Sequence, residues 1–191
     1  SDLESYEGDE VLFPHQRAGV EFLATAKRAL LADEPGLGKT AQAIRALKLL
    51  HDKGEDVFPI LIVCPNTLKK NWAREFNKWW PEGVITQVIK GSATQRKAQF
   101  EEPAQVFIIN WESLRAHSRL SSYGSIALTR CKACGGQDEK ITEARCEVHI
   151  RELNQIDFKA IIADEIHRSK DPKSKQSRAL WSASGDRKST R

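Results

Sequence analysis

The 191-residue sequence contains no methionine, so Ser1 is not a start site as translated, and the chain is expected to be a piece of something longer. No apolar run approaches the roughly 18 residues that a membrane-spanning helix needs, which excludes a membrane among the expected partners. The first ten residues carry Asp2, Glu4, Glu7, Asp9 and Glu10, the opposite of the positively charged start of a secretory signal. Together these absences point to an intracellular chain, of cytoplasm, nucleoid or nucleus. There is no internal repeat and no low-complexity tract. Net charge is small at +4 but unevenly spread: Arg168 to Arg191 holds eight Lys/Arg against Asp171 and Asp186, leaving +6 there and −2 on everything before it. That asymmetry favours a polyanionic partner near the C-terminal end, against the plain alternative of a solvated tail.

What is present is enough apolar sequence, 40% of residues, for one substantial core. Five short apolar runs, Ala29–Ala32, Ile60–Cys64, Val84–Ile89, Val106–Ile109 and Ala160–Ala163, have the continuous character of strands buried on both faces. Helix patterns fall between and around them at His15–Lys27, Lys39–Lys53, Leu68–Trp80, Thr94–Phe100 and Ser174–Ser184. Strand alternating with helix predicts an α/β fold with a mostly parallel sheet, in which ligands sit at the carboxyl ends of the strands. The residues after Ala32, Cys64, Ile109 and Ala163 are therefore the first candidates for function. The span Ser118 to Asn154 breaks the rhythm, with Gly124, Gly135-Gly136, three cysteines and no long apolar run, and reads as an insertion.

After Ala32 comes Asp33-Glu34-Pro35-Gly36-Leu37-Gly38-Lys39-Thr40. Its end has the chemistry of a phosphate cradle: Gly36 and Gly38 open the turn, Lys39 supplies a cation for the β and γ oxygens, Thr40 offers a hydroxyl on the magnesium side, and the following helix adds its N-terminal dipole. Asp33 replaces the first glycine of the common pattern, at the strand exit rather than in the phosphate contact. The bland alternative is a glycine loop that merely turns. After Ala163 comes Asp164-Glu165, an acidic pair at a strand end, suited to holding Mg2+ (Asp164) and polarising the attacking water (Glu165). Either half alone is commonplace, but their functions are complementary.

Asp-Glu-x-Gly-Leu-Gly-Lys-Thr followed far downstream by Asp-Glu-x-His resembles the superfamily 2 helicases, and among them the SWI/SNF-type DNA-dependent ATPases. The resemblance extends over nearly the whole chain and implies a RecA-like P-loop NTPase fold using ATP. Leu12 to Leu23 is similar to the family's adenine-recognising segment and gives Gln16 the base-reading role. Ile60–Trp80, with Asn71-Trp72-x-x-Glu75-Phe76, and Val106–Asn110 followed by Trp111-Glu112 resemble the next two motifs, and Asp164–Lys170 the fourth. Pro35 stands where methionine is usual and His15 where tyrosine is usual; neither removes a phosphate or magnesium ligand. His167 is expected to link the γ-phosphate region to the rest of the lobe, a satisfied structural histidine being the alternative. The resemblance makes residues 1–191 the N-terminal lobe, the next motif and the second RecA-like lobe with its arginine finger being absent. Such a lobe is expected to bind ATP and hydrolyse it poorly, since a missing arginine finger costs about 10³ to 10⁵ in rate. The implied partner is double-stranded DNA, with Lys69, Lys70, Arg168 and Lys170 as backbone contacts. Leu68, Trp72, Phe76, Trp79 and Trp80 are read first as a core stripe and only remotely as a base-stacking platform; Lys69, Lys70, Arg74 and Lys78 point away from it, as phosphate contacts or as a solvated face. Two alternatives stay open: a DEAH-box-like RNA or DNA helicase, and an inert zinc-containing nucleic-acid-binding module using nucleotide as a switch.

The insertion has its own chemistry. Cys131-x-x-Cys134 and Cys146-x-x-His149 are two chelating pairs separated by eleven residues, a spacing suited to a closed structural Zn2+ site. Gly135-Gly136 permits the tight turn of a zinc knuckle. Poor in apolar residues, the segment would draw its folding energy from the metal. Two disulfides are the alternative, but three clustered cysteines cannot all pair internally. Cys64, in an apolar strand, is expected to be simply buried.

Overall fold

The structure, a computed structural model, describes residues 39–119 and 128–164. The expected strand Ala29–Ala32 and the expected helices His15–Lys27 and Ser174–Ser184 lie outside the described residues.

Within them the order is α1 (Lys39–Asp52), β1 (Ile60–Cys64), α2 (Lys69–Trp79), β2 (Thr86–Val88), α3 (Ala93–Phe100), β3 (Val106–Asn110), α4 (Trp111–His117), α5 (Glu152–Gln155) and β4 (Ala160–Ala163). The strands form one sheet in the order β2-β3-β1-β4, parallel throughout. Ile60 stands beside Val106 and Ala160, and Val63 beside Ile109 and Ala163.

Side chains alternate across this sheet, and each face has its own cover. Ile60, Ile62, Cys64, Val106, Ile108 and Ile162 pack against Ala43, Ile44 and Leu47 of α1 and against Trp72, Phe76 and Trp80 on and just beyond α2. Leu61, Val63, Phe107, Ile109 and Ile161 face Phe100 of α3, Trp111 and Leu114 of α4, Leu153 of α5, and Phe158. Every residue of β1, β3 and β4 is buried. That two-sided cover is why these strands read as unbroken apolar runs. Cys64 is fully buried, as expected.

β2 is shorter than the Val84–Ile89 run because it is an edge strand. Among the described residues it pairs with β3 alone, and Ile85 is exposed with its backbone N–H bound to the Gln105 side chain. Helix α3 starts on a closed capping box: Ser92 Oγ accepts from the Gln95 N–H, and Gln95 Oε1 accepts from the Ser92 N–H. Gly91 before it has φ +90°, and a Cβ there would collide with that same Gln95 side chain.

Helix α4 lies where no helix is expected from the sequence. It follows β3 with no intervening loop, and it buries Trp111, Leu114 and His117 at three-residue spacing. Beyond it, the described part of 118–151 has only two single 3₁₀ turns, Lys132–Cys134 and Glu143–Arg145. The two ends of this excursion are fastened together: Asn154 Oδ1 accepts from the Arg119 N–H at 2.9 Å and Asn154 Nδ2 donates to Ser118 Oγ at 3.3 Å. Arg151 donates to the carbonyls of Arg115, Ala116 and Ala144. No helix of the described residues is long and apolar enough to cross a membrane.

Candidate nucleotide and metal sites

Of the residues expected around ATP, the structure describes Thr40 and Asp164. Gln16, Gly36, Leu37, Gly38, the side chain of Lys39, Glu165 and His167 lie outside the described residues, as do Arg168 and Lys170. Helix α1 begins at Lys39, so Thr40 stands in its first turn, half-buried. Orphan backbone N–H groups of a helix start are what a phosphate requires.

Asp164 directly follows β4, at the carboxyl end of the sheet, and three hydrogen bonds fix it. Its N–H donates to the Val63 carbonyl at 2.7 Å, its carbonyl accepts from Trp111 Nε1 at 2.8 Å, and its Oδ2 accepts from Trp72 Nε1 at 3.0 Å. Among the described residues Oδ1 has no hydrogen-bond partner. A half-buried carboxylate with one oxygen held by an indole N–H is a hard oxygen donor of the kind Mg2+ takes. Neither Trp72, expected in the core stripe, nor Trp111, expected only within a family motif, is marked in the sequence as a partner of Asp164. The available signal was chemical: a buried indole N–H needs an acceptor, and both rings are about as buried as side chains become, at 1% and 0% exposure.

The four residues of the expected zinc cluster do converge. One ligand atom from each of Cys131, Cys134, Cys146 and His149 lies within 4.8 Å of the others. Cys134 Sγ is 3.9 Å from Cys131 Sγ and 3.7 Å from Cys146 Sγ, and His149 Nδ1 is 3.7 Å and 3.2 Å from Cys131 and Cys134 Sγ. A tetrahedron with metal–sulfur bonds of about 2.3 Å has edges of about 3.8 Å, so the donor set fits Zn2+. These spacings are far beyond a disulfide bond, and all four cysteines are free. The Cys131 carbonyl accepts from the N–H groups of Cys134 and Gly136. Gly135 has φ +81°, and a Cβ on Gly136 would strike the Arg130 backbone, so both glycines are required. Burial, with the Cys146 and Cys131 sulfurs alongside, pushes the Cys134 thiol up to about 12. At Cys146 burial also pushes upward, but N–H donors at Val148 and Cys131 and the His149 side chain outweigh it and draw the thiol down to about 6.

The expected basic face of α2 needs one correction. Lys69 does not project from it: it is 7% exposed, and its Nζ donates to the Ile89 carbonyl at 2.8 Å and to Asn110 Oδ1 at 3.2 Å. Burial holds its pKa below the usual lysine value. Residues 69, 72 and 76 share one helical stripe, so the ammonium lies on the buried side. Lys70, Arg74 and Lys78 are exposed.

The parallel, two-sided α/β sheet is that of the RecA-like ATPase cores. Over 87% of this chain and 28% of the other, it matches the Sulfolobus solfataricus SWI2/SNF2 ATPase core in complex with dsDNA, with a TM-score of 0.55 and 22% identity; that likeness shows the fold. Residues 15–189 match the family of SNF2-related domains, and the chain belongs to it. It is 33% identical over 147 residues to the Homo sapiens DNA repair and recombination protein RAD54-like, covering 64% of this chain and 19% of that protein. It is 29% identical over 184 residues to the Saccharomyces cerevisiae DNA repair and recombination protein RAD26, covering 86% and 17%. The chain thus spans less than a fifth of the length of these relatives.

Proposed function

We propose that residues 1–191 are the N-terminal, ATP-binding lobe of a SWI/SNF-type DNA-dependent ATPase, whose hydrolysis of ATP to ADP and phosphate drives movement along double-stranded DNA once a second RecA-like lobe closes over the nucleotide. The observation that carries this reading is Asp164, fixed at the carboxyl end of β4 in a sheet whose helix α1 begins at Lys39-Thr40. Gln16 reads the adenine, and Gly36, Leu37 and Gly38 wrap the phosphates with Lys39 as their cation. Thr40 and Asp164 hold Mg2+, which when bound supplies positive charge to the phosphate oxygens. Glu165 orients and polarises the attacking water, and His167 couples that region to the rest of the lobe. Alone, the lobe binds ATP but turns it over slowly.

Duplex DNA as the partner is supported by family membership and by the DNA-bound state of the related ATPase core. Lys70, Arg168 and Lys170 are the candidate backbone contacts, and such contacts carry no sequence information. Residues 118–154 form an inserted module in which Cys131, Cys134, Cys146 and His149 hold a structural Zn2+. In the full chain, ATPase activity should rise with duplex DNA more than with RNA, and Glu165→Gln should abolish turnover while leaving ATP binding intact. Activity indifferent to any nucleic acid would overturn the reading.

A further inference from the structure

We propose that Trp72 is a positioning residue for the metal-facing carboxylate of Asp164, with Trp111 as its counterpart on the backbone. The proposal rests on the nucleotide-site reading above and deepens it. Trp72 comes from α2 and belongs to the core on one face of the sheet, whereas Trp111 comes from α4 and belongs to the core on the other. Their two indole N–H groups reach past the end of β4 from opposite sides and meet on one residue, at Oδ2 and at the carbonyl oxygen. Asp164 is therefore clamped across the sheet. Without such a clamp a carboxylate at a strand end can exchange among its side-chain rotamers.

Both donors are rigid. Trp72 packs against Phe76 with ring centroids 6.4 Å apart and is 1% exposed, and Trp111 is wholly enclosed. A rigid ring bonded to Oδ2 selects which oxygen remains for the metal, and Oδ1 is the one left without a partner among the described residues. Hydrogen bonds from groups behind a metal ligand orient that ligand, and their loss typically lowers metal affinity by about 10- to 100-fold. Packing alone would not require the indole nitrogens to converge in this way. The same helix contains a built-in comparison: Trp79 Nε1 donates to Glu75 Oε2 at 2.7 Å, an indole–carboxylate bond of the same kind that touches no proposed ligand.

The test uses the full chain and measures ADP binding as Mg2+ is titrated, with binding in EDTA measured alongside. Trp72→Phe, which keeps an aromatic ring and removes only the N–H, should move the Mg2+ midpoint upward by at least roughly tenfold while leaving binding in EDTA unchanged. Trp79→Phe should leave both unchanged. A second measurement holds if Trp72→Phe does not fold: in the ¹⁵N spectrum of the unmutated chain, the Trp72 indole resonance should shift when Mg2+ is added to the ADP complex, and the Trp79 resonance should stay. Mg2+-dependent ADP binding with an unmoved midpoint in Trp72→Phe, or an unmoved Trp72 resonance, overturns the positioning role alone. ADP binding in the unmutated chain that ignores Mg2+ overturns the assignment of Asp164, and the positioning role falls with it.

Discussion

Removing the metal from the Cys131/Cys134/Cys146/His149 cluster should unravel residues 128–150 and leave the sheet standing. Ordering a backbone costs about 1–2 kcal/mol per residue, yet between 128 and 150 the buried residues are Cys131, Cys146 and Glu147. None of the three brings a large apolar side chain. Neither of the two hydrophobic cores draws a member from this stretch, so the hydrophobic effect contributes almost nothing to holding it. The proposed zinc would then supply the stability, and at zinc about 1,000-fold above its dissociation constant the linkage is worth about 4 kcal/mol, or about 10³ in protection against amide exchange. Hydrogen exchange read by mass spectrometry with and without a chelator tests this directly. The reporters are the N–H groups of Gly136, Cys146 and Glu147, which bond to the carbonyls of Cys131, Thr142 and Thr129. They should lose that factor, while Ile60 and Asp164, bonded to Gln105 and Val63, should keep their protection. Slow exchange of the first group in chelator would refute the reasoning, as would equal losses in both groups.

The two neighbouring lysines of α2 should separate by assay. Lys70→Ala is expected to weaken duplex binding at all sequences alike and to lower the salt slope by about 1, whereas Lys69→Ala should act on thermal stability, because it strands the acceptors at Ile89 and Asn110. A salt slope that changes with Lys69 and not with Lys70 would reverse the assignment. His117 should make the fold acid-sensitive. Its Nε2 accepts from Arg96 Nε at 2.9 Å, so its proton sits on Nδ1 facing Glu152 Oε2 at 3.1 Å, and burial, against the pull of Glu152 and helped by Arg96 and Arg151, lowers its pKa. The unfolded chain takes up a proton as pH falls through about 6.5, before the folded chain does. Stability is therefore full above that pH and is lost below it. Melting temperatures at pH 7.5 and 5.5 should differ less in His117→Gln than in the unmutated chain, the zinc ligands being common to both; equal differences would refute the role.

The central strands were legible because both faces of β1, β3 and β4 are covered, so their apolar runs had no polar interruption. Helix α1 was legible from the glycine turn that precedes it, and the cysteine–histidine cluster from its spacing. Helix α4 was not, because at seven residues with three inward side chains it carries too little periodicity, and no turn residue separates it from β3. The error on Lys69 was one of precedence: its charge suggested solvent, whereas its spacing from Trp72 and Phe76 already put it on the inward stripe. The link from two tryptophans to Asp164 joins positions 53 and 92 residues apart, and nothing local marks it. Only the general need of a buried indole for an acceptor hinted that such a partner existed.

The fastening of Ser118 and Arg119 to Asn154 has a consequence for how this lobe can change. Because the chain leaves and re-enters at adjacent points, the strands on either side register no difference in what hangs between them. Replacing residues 120–150 by a short linker is therefore expected to leave the sheet folded, which circular dichroism and the melting temperature of the shortened chain would check. The Ser118/Arg119–Asn154 pinch thus acts as a clasp that closes the fold before the cysteine–histidine segment is counted.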